Sequence, residues 1–127
     1  MLRRLARSTA VHVAFAFLGM GSWALFVNWG QGAATWTAGI GQGVLSGLIT
    51  LVLKRALEAM SPRFPGVLAH LVPPAVTAAV ILAVLTAVHL LIGTPQVART
   101  VAVPWGVSTL YAFVYAAGLA RRGARTV

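Results

Sequence analysis

The chain has 127 residues, of which 59% are hydrophobic and only 9% are charged, and its mean hydropathy is +0.88. Soluble domains carry roughly 25% charged residues, so this composition excludes an ordinary soluble globule and a disordered segment and indicates an integral membrane protein. The net charge of +9 comes from ten Lys and Arg against one acid, Glu58. The chain contains no cysteine, which excludes disulfides, Cys-ligated metals and thiol catalysis.

Four apolar segments follow one another along the chain, each free of Lys, Arg, Asp and Glu. A membrane-spanning helix needs about 20 mostly apolar residues. The predicted spans are 9–28, 33–53, 69–92 and 101–120. They predict an all-α fold in which residues 1–127 form a single membrane domain, a bundle of four transmembrane helices.

The first segment differs from a signal peptide. Arg3, Arg4 and Arg7 precede it, as basic residues precede the apolar region of a signal sequence. Its apolar stretch of about 20 residues, however, exceeds the roughly 7 to 15 residues of a signal peptide. It ends at Asn28 without a small-residue cleavage site, so we predict an uncleaved helix.

Turn-forming residues separate the segments. Gly30 and Gly32 follow the first segment, and Gly93 follows the third. Between the second and third segments, Pro62 and Pro65 exclude a continuous helix.

The ends of the helices are predicted from their charges and prolines. Glu58 follows Lys54 by four residues and Arg55 by three, so the second helix should extend to about Met60 with its acid neutralised locally. The third segment contains Pro73 and Pro74. If the third helix starts near Leu71, both prolines fall in its first turns, where a missing backbone N–H costs little. Pro104 likewise falls early in the fourth segment.

Nine of the ten basic residues lie at one end of an alternating four-helix arrangement, and Arg99 is the exception. Short cytoplasmic loops carry an excess of Lys and Arg. Both termini and the middle connection are therefore predicted to face the cytoplasm from the plasma (inner) membrane. Anionic lipid headgroups are the expected contacts of these side chains. The residues are Arg3, Arg4, Arg7, Lys54, Arg55, Arg121 and Arg122.

The aromatic residues agree with this orientation. Trp29, Trp36 and Trp105 are predicted to lie at the outer interface, where indole rings are anchored at headgroup level. Tyr111 and Tyr115 are four residues apart and should share one face of the fourth helix.

Three glycines form a face of the second segment. Gly39, Gly43 and Gly47 are four residues apart, a spacing that lets another helix backbone approach closely in a membrane. They predict a helix-packing interface. The spacing leaves open whether the partner is another chain or a helix of the same bundle.

The same segment carries a polar stripe. Gln42, Ser46 and Thr50 are also four residues apart, and polar groups are costly against acyl chains. The stripe is predicted either to line a polar path, together with Tyr111 and Tyr115, or to bond a neighbouring helix.

The three histidines are predicted to lie at the membrane interfaces. His12 and His70 are near the cytoplasmic ends of their segments and His89 is near an outer end. A proton relay is the alternative. Because they lie on opposite sides, we expect no shared metal site.

No motif predicts an enzyme. The chain lacks a nucleophile elbow, a zinc-protease motif, a phosphate-binding loop after a strand, and a pair of carboxylates for acid–base work. No cofactor is expected. Nucleic acid is not an expected partner either, because the basic residues lie at the ends of apolar segments rather than on a polar helix face.

The two halves of the chain show a weak internal similarity. Laid over each other without gaps, they suggest a tandem repeat of a two-helix unit. Identical pairs include Gly30 with Gly93, Thr37 with Thr100 and Gly43 with Gly106.

In length and helix count the chain resembles three groups of small four-helix membrane proteins. It lacks the glutamate that small multidrug exporters carry in the first helix, the Thr-Thr-Phe-Ser pattern of fluoride channels, and the early Gly-rich signature of proteins associated with flipping of lipid-linked sugars. We therefore assign no family.

Three functional hypotheses follow. The first is a small subunit that acts by helix packing, as a homo-oligomer or as an accessory to a transport or envelope-assembly complex. The second is a transporter or flippase of a lipid-linked or small amphipathic substrate. The third is a holin-like pore.

Overall fold

The computed structural model describes residues 8–126, and the side chains of residues 8–124. Within that range all regular secondary structure is helical. Four long helices are present, and each is long and apolar enough to cross a membrane, which confirms the all-α, four-helix prediction. They are α1 (Thr9–Val27), α2 (Ala33–Met60), α3 (Val67–Leu91) and α4 (Val97–Thr126), with a short 3₁₀ turn, Ser61–Arg63, between α2 and α3.

Ser8 fixes the start of α1. Its hydroxyl accepts a hydrogen bond from the Val11 N–H at 3.4 Å and so satisfies one of the first-turn donors that have no helical partner. The helix has 19 residues, which at about 1.5 Å per residue gives about 28 Å. That length matches a hydrocarbon core of about 30 Å.

Glycines in the left-handed region make the two tight turns of the fold. Gly30 (φ +84°) and Gly32 (φ +61°) lie between α1 and α2, and Gly93 (φ +76°) lies between α3 and α4. Residues with a Cβ are disfavoured at such angles. We call this end of the bundle the turn end. The opposite end, which holds Ser61–Arg63 and the described basic residues other than Arg99, is the basic end.

The bundle consists of two antiparallel hairpins. α1 packs mainly on α2, and α3 packs mainly on α4. α2 and α4 each contact all three other helices, whereas α1 and α3 do not contact each other in the described part of the chain. α2 and α4 therefore join the two hairpins.

The glycine face of α2 is covered by α1. A Cβ at Gly43 would lie 3.1 Å from the carbonyl oxygen of Phe17, and a Cβ at Gly21 of α1 would lie 3.1 Å from the carbonyl oxygen of Gly39. Gly47 also faces α1. The two backbones are in direct contact because neither helix carries a side chain at these points. The partner that the sequence left open is thus a helix of the same bundle.

α2, α3 and α4 share an apolar core. Trp105 packs beside it, and its indole N–H donates a hydrogen bond of 2.9 Å to the Ala78 carbonyl oxygen of α3. The prediction that Trp105 lies at the outer interface is wrong, because α4 begins at Val97 and places this indole against α3. The buried core residues are Leu53, Leu57, Ile81, Leu85, Val101, Ala112 and Ala116.

The prolines lie deeper in their helices than the sequence predicts. α3 begins at Val67, directly after Gly66, so Pro73 and Pro74 fall inside the helix, and both are fully buried. Each removes one backbone N–H from the helical ladder. Pro104 is likewise inside α4, because that helix starts in the turn that follows Gly93.

The glycine contact predicts a position-dependent effect of alanine. Gly43→Ala should lower the free energy of unfolding by about 1–3 kcal/mol, because its methyl group would force α1 away from α2. Unfolding in mixed detergent micelles, followed by circular dichroism, measures the change.

Gly106→Ala is the matched control. A Cβ at Gly106 of α4 meets no atom within 4 Å, and alanine favours a helix over glycine by about 0.5–1 kcal/mol. Equal destabilisation by both substitutions would contradict the contact between α1 and α2.

Candidate functional site

A groove of about 1290 Å³ lies between α1 and α4, with α2 as its floor. One face of α1 forms a wall through Thr9, His12, Ala16 and Met20. These positions are three or four residues apart and therefore share a helix face. The groove reaches from the basic end to about the middle of the bundle, where Ser46 lies.

Polar side chains line the floor and the other wall. Ser46 and Thr50 come from α2, and Ser108, Tyr111 and Tyr115 come from α4. The Thr50 hydroxyl donates to the Ser46 carbonyl oxygen at 2.9 Å, and the Ser108 hydroxyl donates to a carbonyl of its own helix. The structure thus brings together four of the five residues predicted for a polar path, and the fifth, Gln42, lies beyond the closed end of the groove.

The two tyrosines form a stacked pair on the α4 wall. Their ring centroids are 5.5 Å apart and their planes differ by 9°. The Tyr115 hydroxyl donates a hydrogen bond of 2.5 Å to Glu58 Oε2 on α2. The sequence predicts neutralisation of Glu58 by Lys54 and Arg55, but the contact that the structure shows joins this carboxylate to α4.

Cationic side chains lie at the mouth of the groove. Lys54 and Arg55 line it, and both are exposed. The other predicted lipid contacts within the described residues, Arg121 and Arg122, are exposed in the last turns of α4. Arg3, Arg4 and Arg7 lie outside the described residues.

The closed end of the groove adjoins a buried histidine. His89 has no exposed surface, so the prediction that it lies at the interface is wrong. Its Nδ1 is 2.6 Å from the Thr94 hydroxyl, and its Nε2 is 2.8 Å from Gln42 Oε1. The Gln42 amide donates at 2.7 Å to the hydroxyl of Ser46, which lines the groove. The turn after α3 folds Thr94 back onto the ring, and this buries it.

The other two histidines differ from His89. His12 is exposed and lines the groove. His70 is half-buried in the second turn of α3, and its Nδ1 is buried without a hydrogen-bond partner among the described residues.

Asn28 connects α1 to α4 at the turn end. Its amide donates to Thr100 Oγ1 at 2.7 Å and to the Ala24 carbonyl oxygen at 2.8 Å, and its Oδ1 accepts from the Gln96 N–H at 2.8 Å. Thr35 of α2 donates to the Asn28 carbonyl oxygen. We call these polar contacts, most of which are buried, the turn-end network. Its members are Asn28, Thr35, Gln42, His89, Thr94, Gln96 and Thr100.

The turn-end network separates the groove from the opposite end of the bundle. None of its members lines the groove, and α1 and α4 are hydrogen-bonded to each other at this end, where the Trp23 indole N–H also donates to the Arg99 carbonyl oxygen at 2.9 Å. In the direction of the basic end, α1 and α4 face each other across the groove. The groove is therefore open at the basic end and closed at the turn end.

Sequence reasoning assigned no role in the site to Asn28, Thr94 and Thr100. The one sequence feature that could indicate such a role is that each of these three residues lies within a few residues of a predicted turn. Polar residues beside turns usually face water, and nothing in the spacing shows that these side chains point into the bundle.

Comparison of the chain with protein-family models, with curated proteins and with solved structures finds no match. The groove and the turn-end network are therefore interpreted from their own chemistry.

The role of Asn28 predicts a specific loss of stability. Asn28→Leu, which is similar in size, should lower the free energy of unfolding by about 1–3 kcal/mol because it leaves the Gln96 N–H without its acceptor. The control is Thr37→Val, since the exposed Thr37 hydroxyl bonds only the Ala33 carbonyl of its own helix among the described residues. It should change stability by less than about 0.5 kcal/mol. Similar values for the two variants in detergent unfolding would argue against a bond network that holds α1 to α4.

Proposed function

We propose that this chain is a small membrane carrier whose groove binds an amphipathic, lipid-like substrate with an anionic head. The observation that carries the proposal is the groove itself: a cleft between two membrane-spanning helices that is lined by both apolar and polar side chains, with Lys54 and Arg55 at its mouth.

The lining of the groove favours an amphipathic occupant. Hydroxyl groups against acyl chains are costly unless a hydrogen-bond partner meets them. The Tyr111 hydroxyl lines the groove without such a partner among the described residues, whereas the Thr50 hydroxyl bonds the Ser46 carbonyl oxygen. Leu51 and Val107, which also line it, are 43% and 55% exposed and face lipid. A molecule with a polar head and an acyl tail meets both requirements at once.

The volume of the groove also favours a lipid-sized ligand. Pockets for small molecules typically enclose about 300–1,000 Å³, and the groove has about 1290 Å³. A headgroup with the first part of its chain fits this space.

The charge at the mouth favours an anionic head. Each basic side chain near a membrane surface attracts anionic lipid by about 1 kcal/mol. Lys54 and Arg55 both line the groove and outnumber the one acid there, Glu58, whose carboxylate accepts a hydrogen bond from Tyr115.

The closed turn end supports a carrier over a holin-like pore. A pore needs a continuous path, whereas the turn-end network lies between the groove and the opposite end of the bundle. A carrier exposes its site to one side at a time, and this arrangement corresponds to one such state.

The hypothesis of a subunit that acts by helix packing is based on Gly39, Gly43 and Gly47 and on a bundle too small to enclose a substantial pathway by itself. α1 covers these three glycines, so they offer no surface to a second chain or a larger complex. The mass of the protein in mild detergent tests this hypothesis.

We further propose that both termini face the cytoplasm from the plasma (inner) membrane, so that the groove opens inward. The support is the distribution of the basic residues, with Arg99 alone near the turn end. Reporters fused after residue 31 and after the last residue should lie on opposite sides of the membrane. Reporters on the same side would refute this orientation.

The two hairpins are proposed to be a tandem repeat. Gly30 and Gly93, which the halves align, both have positive φ, at +84° and +76°. The aligned Thr37 and Thr100 hydroxyls each donate to the carbonyl four residues earlier in their helix. The pair Gly43 and Gly106 differs, since only Gly43 is in contact with another helix.

Binding of lysophosphatidylglycerol tests the proposed function. The chain has two tyrosines, and both line the groove, so fluorine NMR of fluorotyrosine-labelled protein in nanodiscs reports occupancy. Removing two charges with Lys54→Gln and Arg55→Gln should weaken binding at least about tenfold, at about 1 kcal/mol per charge. Transfer of fluorescent lysophosphatidylglycerol between the leaflets of proteoliposomes should slow in parallel.

Arg63→Gln with Arg121→Gln is the charge-matched control, because neither residue lines the groove. This pair should retain binding and transfer. Equal losses in the two double variants would show a general surface effect, and the proposed site would be wrong. If lysophosphatidylglycerol crosses between the leaflets equally fast in liposomes without the protein, the carrier function is refuted.

A further inference from the structure

His89 is unusual among the titratable side chains. Among residues 8–124 it is the one titratable side chain with no exposed surface. An imidazole is also the side chain that ordinarily changes charge between about pH 5 and 8. Ionisable groups inside a membrane protein are rare and commonly mark a proton or ion pathway.

A continuous chain of hydrogen bonds runs from the turn end to the groove through His89. Thr94, which is 7% exposed in the turn after α3, contacts Nδ1, and Gln42 contacts Nε2. Gln42 in turn donates to Ser46 at the closed end of the groove. The imidazole therefore lies between the surface of the turn end and the site of the proposed substrate.

The partners of the ring suit both protonation states. In the neutral ring, Nε2–H donates to Gln42 Oε1 and Nδ1 accepts from the Thr94 hydroxyl. When a proton binds Nδ1, the Thr94 hydroxyl rotates and its oxygen becomes the acceptor, because a hydroxyl both donates and accepts. Both N–H groups of the imidazolium are then satisfied without a shift of heavy atoms.

What the surroundings of His89 lack is an opposite charge. The helix halves and turns at the turn end contain no acid, and their one charged residue is Arg99, whose side chain is exposed. The groups that face the ring, Gln42 from α2 and Thr94 from the turn, are neutral. A buried cation without a counter-charge is costly, so the imidazolium forms only when an anion from outside the chain lies near it.

The groove is where such an anion would come to lie. We propose that His89 is a proton-binding site, and that an anionic amphiphile in the groove and a proton on His89 are bound together. The proton adds to the Nδ1 lone pair and no covalent bond other than N–H forms or breaks. This inference rests on the proposed function, since the groove must bind the anion.

The expected coupling is large enough to measure. Lys54, where the anionic head is proposed to bind, lies 12 residues along α2 from Gln42, which is about 18 Å of helix. At that separation and an effective dielectric constant of about 20, the attraction between the imidazolium and the anion corresponds to roughly a fourfold change in affinity. Linkage makes the effect reciprocal, so that protonation tightens anion binding by the same factor by which the anion favours protonation.

The test measures binding of lysophosphatidylglycerol to the full chain in nanodiscs at about pH 8 and at about pH 5.5. Its phosphodiester keeps one negative charge over this range. We expect tighter binding at the lower pH, by up to roughly fourfold, and no such change for lysophosphatidylcholine, whose head has no net charge. At both pH values, the His89→Gln variant should bind lysophosphatidylglycerol with the affinity that the unsubstituted chain shows at the higher pH.

His70→Gln is the matched control, because His70 lies on α3 and does not line the groove. It should keep the pH dependence. A dependence that persists unchanged with His89→Gln would overturn the proposal. Circular dichroism and the fluorotyrosine spectrum verify that His89→Gln is folded.

Nitrogen NMR of the His89 ring in the unsubstituted chain gives a second readout that needs no variant. With lysophosphatidylglycerol bound, both ring nitrogens should carry protons at the lower pH. A ring that keeps one proton throughout would overturn the proposal while leaving the carrier function intact. Absence of lysophosphatidylglycerol binding at either pH would instead refute the proposed function.

Discussion

The close approach of α1 to the glycine face of α2 determines the geometry of the whole bundle. In lipid there is no hydrophobic force between helices, so backbone contact and packing hold them together. Gly21, Gly39 and Gly43 let the two backbones touch, and this contact sets the position of α1 relative to α4. α1 then meets α4 through Asn28 at the turn end and lies across the groove from α4 at the basic end.

Polar groups are treated differently at the two ends of the bundle. At the turn end, Asn28, Gln42, His89 and Thr100 are buried and satisfy one another. Along the groove, polar side chains line an open cleft, and some of them, such as Thr50 and Ser108, bond carbonyl oxygens of their own helix. Because unsatisfied polar groups are costly in a membrane, the first arrangement stabilises the closed end, and the second is suited to a ligand with a polar head.

The proposed carrier function and the proton site on His89 use one continuous set of residues. Ser46 belongs to the groove and also accepts the hydrogen bond from Gln42, which contacts His89. A change of charge at His89 therefore changes the electrostatic potential at the closed end of the groove, because the interior between them has a low dielectric constant. The turn-end network that closes the groove thus contains His89, the side chain whose protonation would respond to a ligand in the groove.

The sequence alone determined the four apolar helices, the glycine turns and the end of α2 near Met60, because hydropathy, turn residues and local charge act over a few positions. It also determined which residues share a face, as with the stacked Tyr111 and Tyr115. Only the tertiary structure decided which helix covers the glycine face, and that His89 is buried rather than interfacial. Those outcomes depend on contacts between residues such as Gln42 and His89, 47 positions apart, and the periodicity of a single helix carries no information about its neighbours.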